Sequence, residues 1–389
     1  MLSVPGSFSI AKSSHIKKAS QLAENAEIAE PDSDSPISEQ IRSAHSDRDR
    51  SRHKLIKNRE RQDVSLNTED ENHLLENARV IATEGAYFVL RANDGSDIRA
   101  KTYKGTRASN PNSTLVAVGD EVRVSLKDSE HTMIEEVLPR RTKLSRRAAG
   151  TGLAFEQVVV SNIDMLVIVA SVSEPKLRSG IIDRYIVAGL DGGLSIAIAI
   201  NKIDLASPEE MDEALYFRDL YEEIGYRVLL VSAENGSGID ELRKVIEGKT
   251  SVFAGHSGVG KSSIMNAVFG REVGKTGTLQ KKFRRGAHTT ASTTLVEVDN
   301  MPGTFIADTP GVREFSNFEL DTHNLKFAFI EFLPFAEKCA IRNCSHIHEP
   351  GCAVRQAVED DKISIDRFSS YQKLFEEAKT EESKRINNQ

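Results

Sequence analysis

The chain is poor in cysteine: Cys339, Cys344 and Cys352 are its only three, and they sit in one short stretch. An odd, clustered set excludes a disulfide framework and points to a metal site. No run of 18 or more apolar residues exists, so no helix is expected to cross a membrane. The N-terminal MLSVPGSFSIAKSSHIKK has too few apolar residues for a secretory core, and acidic residues from Glu24 onward set it apart from acid-poor transit peptides. A cytoplasmic protein is expected. There is no excess of positive charge either: the net charge is -7. Any contact with RNA then falls to local basic patches rather than to the overall field.

With 39% hydrophobic residues in 389, the chain can build two or three cores. Residues 1–72 are polar, with segments such as Glu30-Pro31-Asp32-Ser33-Asp34, and read as a disordered extension. Inside it, Arg42 to Arg61 carries eight Lys/Arg against three Asp/Glu, either a solvated tail or an arm for RNA phosphates. Residues 73–145 hold short β-rich runs, Arg79–Ala82, Ala86–Leu90, Ile98–Lys101 and Glu121–Val124, separated by Asn93-Asp94-Gly95 and Gly119-Asp120. That pattern predicts a small β-barrel of OB-fold type, one of several barrels that would fit. The basic run Pro139 to Arg147 is either a solvated linker or a phosphate contact.

Residues 146–318 alternate apolar runs with amphipathic ones. Met165–Ala170, Ser195–Ile200, Val228–Val231, Ser251–Ala254 and Thr304–Ala307 read as buried parallel strands. Helices are expected at about 180–190, 209–224, 238–247 and 261–270. The result is a doubly wound α/β domain.

Four elements follow four of these strands. Gly255-His256-Ser257-Gly258-Val259-Gly260-Lys261-Ser262-Ser263 is a phosphate loop: glycines let the backbone amides face a phosphate, Lys261 adds a point charge, and Ser262 offers a hydroxyl to Mg²⁺. Asn201-Lys202-Ile203-Asp204 supplies a carboxylate, Asp204, that can accept from guanine N1–H and N2–H₂, a donor pair adenine lacks. Ser232-Ala233 offers a backbone N–H for guanine O6. Asp308-Thr309-Pro310-Gly311 has the switch II form, with Asp308 toward Mg²⁺ and the Gly311 amide toward the γ-phosphate. Their order is unusual, since the guanine motifs precede the phosphate loop. Moving the termini of one sheet produces such an order, so a circularly permuted P-loop GTPase domain is expected.

Switch I is expected in Gly274 to Thr294, where Thr289 or Thr290 can complete the Mg²⁺ shell; Thr290 is taken as the ligand. The position after Asp-x-x-Gly, where Ras-like enzymes carry a water-orienting Gln, is Val312. His288 is the candidate to replace it, and His256 a lesser one. In residues 319–389, Cys339, Cys344, His346 and Cys352 suit a tetrahedral structural Zn²⁺, with His348 a rival to His346 and helices expected at about 325–337 and 353–360.

Taken together, these residues resemble the ribosome small subunit-dependent GTPase A (RsgA) family over about residues 78 to 375. The resemblance rests on the permuted order, Asn201-Lys202-Ile203-Asp204, Gly255 to Ser263, Gly286-Ala287-His288-Thr289-Thr290, Asp308 to Phe315, Cys339 to Cys352, and also Ile182-Asp183-Arg184-Tyr185. It implies an N-terminal OB-fold that binds RNA, a permuted GTPase domain and a small C-terminal α-helical zinc domain. It implies a monomeric cytoplasmic GTPase, not a membrane protein, that binds the 30S subunit and its 16S rRNA, assists late maturation, and hydrolyses GTP to GDP under stimulation by that subunit. His288 would be the catalytic histidine, acting with Lys261.

Overall fold

A computed structural model of the chain describes residues 75–108, 110, 113–126, 132–147, 156–270, 293–308 and 322–387. All lie within the unit Asp70–Gln389. The expected extension 1–72 lies outside the described residues.

Five strands alternate inward apolar and outward polar side chains: β1 (Leu75–Glu84), β2 (Tyr87–Ala92), β3 (Asp97–Arg107), β4 (Glu121–Leu126) and β5 (Thr132–Val137). They are ordered β1-β2-β3-β5-β4, and β4 pairs back onto β1, so the barrel is closed. Only β3 and β5 run parallel, which is the OB-fold arrangement. Val80, Leu90, Ala100, Val122, Val124 and Ile134 fill the interior. Strand β5 was not among the expected runs, because Glu135-Glu136 interrupts its apolar pattern. Both carboxylates have partners: Ser125 Oγ donates to Glu135 (2.7 Å) and Arg123 pairs with Glu136 (3.1 Å).

The basic run after the barrel is not a linker. Lys143–Arg147 forms β6, antiparallel to β7 (Glu156–Ser161), and this hairpin crosses the expected domain boundary at 145/146. Arg140 is 6% exposed and grips the fully buried Asp120 bidentately (2.7 and 2.8 Å), while Asp120 also accepts from Ser161 Oγ (2.6 Å). Arg140 therefore holds the barrel against β7 and cannot reach a phosphate, a correction to one reading of its sequence.

The main sheet continues through β8 (Met165–Ser171), β9 (Ser195–Asn201), β10 (Arg227–Leu230), β11 (Thr250–Ala254), β12 (Thr294–Glu297) and β13 (Phe305–Asp308), in the order β10-β9-β8-β11-β13-β12 with only β12 antiparallel. All seven residues of β8 are buried, so it needs two covered faces. Leu166, Ile168 and Ala170 pack with helices Ser179–Asp191 and Pro208–Ile224; Met165, Val167 and Val169 pack with Ile239–Ile246 and Lys261–Val268. Among the described residues a single strand pairing, Ala82 with Thr294, joins this sheet to the barrel.

The C-terminal part departs from expectation at 325–337. Instead of one helix there are short pieces: Thr322–Leu325, 3₁₀ turns at Lys326–Ala328 and Ile330–Phe332, then Leu333–Ala336. Pro334 has no N–H and clashes with the carbonyl four residues back, so a helix cannot run through. Helix Ala353–Glu359 follows the expectation, and Ile365–Asn387 adds 23 residues that cover the module. Phe329, Phe332, Phe368 and Tyr371 form its aromatic core.

Candidate functional site

At the carboxyl ends of β8, β9 and β11, three loops meet where an α/β sheet places its ligand. The phosphate loop leaves β11 through Gly255, where a Cβ would lie 2.2 Å from the Val169 carbonyl oxygen. It returns at Gly260, φ +91°, where a Cβ would lie 2.3 Å from Asn201 Nδ2. Only glycine fits either place. The amine of Lys261, first residue of its helix, donates to the carbonyls of Gly255 (2.6 Å) and His256 (2.8 Å) and so stands over the loop. His256, Ser257, Gly258 and Ser262 are exposed, Ser263 is half-buried, and Val259 is buried in the core.

Asn201, the last residue of β9, ties the motifs together. Its Nδ2 donates to the Val259 carbonyl (2.9 Å), and its Oδ1 accepts from the Ala233 amide (3.2 Å). The Ala233 amide, one of the two backbone N–H groups of Ser232-Ala233 offered for guanine O6, is thus engaged by Asn201. Ser232 is buried and accepts from the Asn235 amide (3.2 Å). Lys202 is left-handed, φ +67°, and its amine donates to the Glu174 carbonyl. The 3₁₀ turn Ile203–Leu205 then carries Asp204 to the surface. Asp308 ends β13, which runs parallel to β11 beside the phosphate loop. His288, Thr289, Thr290, Gly311 and Val312 lie outside the described residues.

A second site is built from Cys339, Cys344, His346 and Cys352, whose ligand atoms all lie within 4.8 Å of one another. His346 Nδ1 is 3.6 Å from Cys339 Sγ and 3.4 Å from Cys352 Sγ. A tetrahedral zinc with bonds of about 2.3 Å to sulfur and about 2.0 Å to nitrogen has an N–S edge of about 3.5 Å, so the donor set fits. Between the rivals, His346 is buried in the cluster and His348 is exposed. Burial pushes the Cys344 thiol up to about 12, so ionising it calls for a cation. Burial, with Lys326 nearby, lowers His346 to about 4 and keeps its imidazole neutral, the form that ligates. Glu349 shapes the loop by accepting from the amides of Ser345 (2.7 Å), Ile347 (3.2 Å) and His348 (3.2 Å). Burial alone would raise its pKa, but the Ser345 hydroxyl and the nearby backbone amides, those of Ser345 and His348 among them, prevail and hold the carboxyl down at about 2.

A family model described as RsgA GTPase matches residues 137–318. The small ribosomal subunit biogenesis GTPase RsgA of Chlorobaculum parvum is 39% identical over 304 residues, spanning 76% of this chain and 96% of that protein. The chain belongs to the RsgA GTPase family. RsgA 2 of Bacteroides thetaiotaomicron is 34% identical over 303 residues, 96% of its length. Among solved structures, YjeQ from Thermotoga maritima matches with TM-score 0.64 and 28% identity, covering 78% of this chain and 99% of that one. YloQ, described as a circularly permuted GTPase, shares the fold at TM-score 0.61. As a member of the RsgA family the chain is a GTP-hydrolysing enzyme, and GTP with Mg²⁺ is its nucleotide.

Some residues that shape these sites carry no motif. Glu174 and Pro175 rest against Lys202 and Gly258, and a Cβ at Gly258 would lie 3.6 Å from Pro175 Cδ. Glu349 is one acidic residue among many, and only the three amides folded around it reveal its role.

Proposed function

We propose that this chain binds GTP in the cradle between Asn201, Ala233 and the phosphate loop, and hydrolyses it on the small (30S) ribosomal subunit during late maturation. The observation that carries the reading is Asn201, whose one side chain bonds both the phosphate loop and the Ser232-Ala233 loop. Motifs scattered over the sequence are thereby joined at one residue.

In this reading the amides of Gly255 to Ser263 and the positive helix end receive the β- and γ-phosphates. The Lys261 amine leaves the carbonyls of Gly255 and His256 for the phosphate oxygens. Asp204 accepts from the guanine N1–H and N2–H₂, with Lys202, Ile203 and the Ser232-Ala233 backbone forming the rest of the base pocket. Ser262, Thr290 and Asp308 hold Mg²⁺, which neutralises phosphate charge. The Gly311 amide contacts the γ-phosphate. His288 orients the attacking water in place of the Gln that Val312 replaces.

Domains are proposed at 1–72 (extension), 73–145 (RNA-binding barrel), 146–318 (GTPase) and 319–389 (zinc-binding). One structural Zn²⁺ sits on Cys339, Cys344, His346 and Cys352. The barrel contacts 16S rRNA, and the protein acts as a cytoplasmic monomer. Among the described residues no helix is long and apolar enough to cross a membrane.

The test is turnover of GTP with and without purified 30S subunits. Stimulation on the order of 10²-fold or more is expected. Equal rates with and without subunits would reduce the protein to a GTP-gated binding module. Substituting ATP for GTP should abolish activity; equal use of ATP would refute the base pocket.

A further inference from the structure

Arg367, on the C-terminal helix, is the largest fully buried side chain among the described residues, at 1% exposure. Its Nη1 pairs with the fully buried Asp183 on helix Ser179–Asp191. Its Nε and Nη2 donate to the two oxygens of Glu331 (2.7 and 3.1 Å), and its guanidinium stacks on Phe329 at 4.4 Å. Asp183 also accepts from the Tyr221 hydroxyl (2.6 Å). Such a buried cluster is poor evidence of stability, because apolar residues of similar volume often serve as well. What a planar, five-donor fork does supply is a fixed orientation between the elements it bridges.

Those elements lead to the nucleotide site. Helix Ser179–Asp191 begins directly after the loop 172–178. In that loop the Val172 amide donates to the Asn201 carbonyl (3.0 Å), the Glu174 carbonyl accepts from Lys202, and Pro175 lies under Gly258. Asp183 is one turn into the helix, and Tyr221 reaches from Asp183 to the Ser179 carbonyl (3.4 Å) at its start. The packing continues to the C-terminal helix, where a Cβ at Gly180 would lie 3.8 Å from Ser370 Oγ.

We propose that Arg367 and Asp183 are positioning residues for the GTP site, through which the C-terminal helix sets the 172–178 loop that braces Lys202 and the phosphate loop. The inference rests on the GTP-site reading above. Nucleotide binding and order in the C-terminal helix are then linked in both directions.

The experiment uses the full chain and GDP as probe. In the native protein, GDP slows amide hydrogen exchange in residues 365–377. In Arg367→Gln, folding judged by circular dichroism persists, GDP binds roughly 10-fold more weakly, and the GDP-dependent slowing is lost. Arg367→Lys keeps the charge without the fork and recovers part of the affinity. A folded Arg367→Gln with native GDP affinity overturns the proposal, as does a native helix whose exchange ignores GDP. Should Arg367→Gln not fold, Asp183→Asn, which keeps shape and removes one charge, decides by the same two readouts. The GTP-site reading fails separately, if the native chain does not prefer GDP over ADP.

Discussion

In the proposed GTP site, single side chains divide into those that would meet the nucleotide and those that hold its loops in place. Asp204 is exposed on its turn, so its replacement by Asn leaves the fold alone. Asp204→Asn should lower the preference for GTP over ATP by roughly 10²-fold or more, read by competition binding, since a site built for a donor pair rejects what lacks it. Gly260→Ala should do more harm, placing a methyl 2.3 Å from Asn201 Nδ2 at a φ of +91°. Loss of measurable nucleotide binding is expected; a variant that binds GDP normally would show that the loop relaxes. Asn201 is buried, with both ends of its amide bonded. Asn201→Ala should destabilise by about 2–4 kcal/mol in urea unfolding, from two lost hydrogen bonds and the groups left unpaired.

Among the elements, the ligand loop 339–352 offers the sharpest test. Glu349 is held at about 2, below its ordinary 4.5. A depressed carboxyl stabilises the folded loop above about pH 4.5, and that contribution fades as the pH falls toward 2. Stability to urea should fall more steeply for wild type than for Glu349→Gln across this window, although Glu349→Gln starts less stable at pH 7. Parallel curves would mean that the carboxylate does not organise the loop. The elements also show what periodicity reveals. Helix Pro208–Ile224, expected at about 209–224 from its amphipathic pattern, is bounded by Ser207, which caps it with Glu210 in a capping box, and by Gly225 at φ +105°. Strand β5 was not legible, because outward-facing carboxylates broke its apolar run, and the hairpin β6–β7 was hidden by its basic residues.

Across the whole molecule, the barrel and one face of the sheet share a continuous apolar core, and polar anchors add to it. Arg79 reaches from the barrel to the Asn162 carbonyl (3.1 Å) and Thr250 Oγ1 (2.9 Å) and lies over Phe305 at 5.4 Å. Burial lowers its pKa, with Asp164 acting the other way. Arg79→Met should keep the packing of the side-chain stem and lose the anchor. Barrel and sheet would then unfold in two steps instead of one, visible by calorimetry; a single transition would show that their shared apolar core, the β1–β12 contact and Arg140 suffice.

The order of motifs, the apolar strands and the Cys/His spacing follow from residue type and interval alone, so the permuted GTPase domain and its metal module are legible in the amino-acid sequence itself. Those signals are local, carried within a strand, a loop or a few turns. The sequence also left open whether His346 or His348 completes the metal set, whether Arg140 lies in a solvated linker or meets a phosphate, and what Asp183 and Arg367 are for. These choices depend on partners 20 to 184 residues away or on which side of a turn is buried. Chain folding in three dimensions settles them, because a buried charge takes its meaning from the group brought against it.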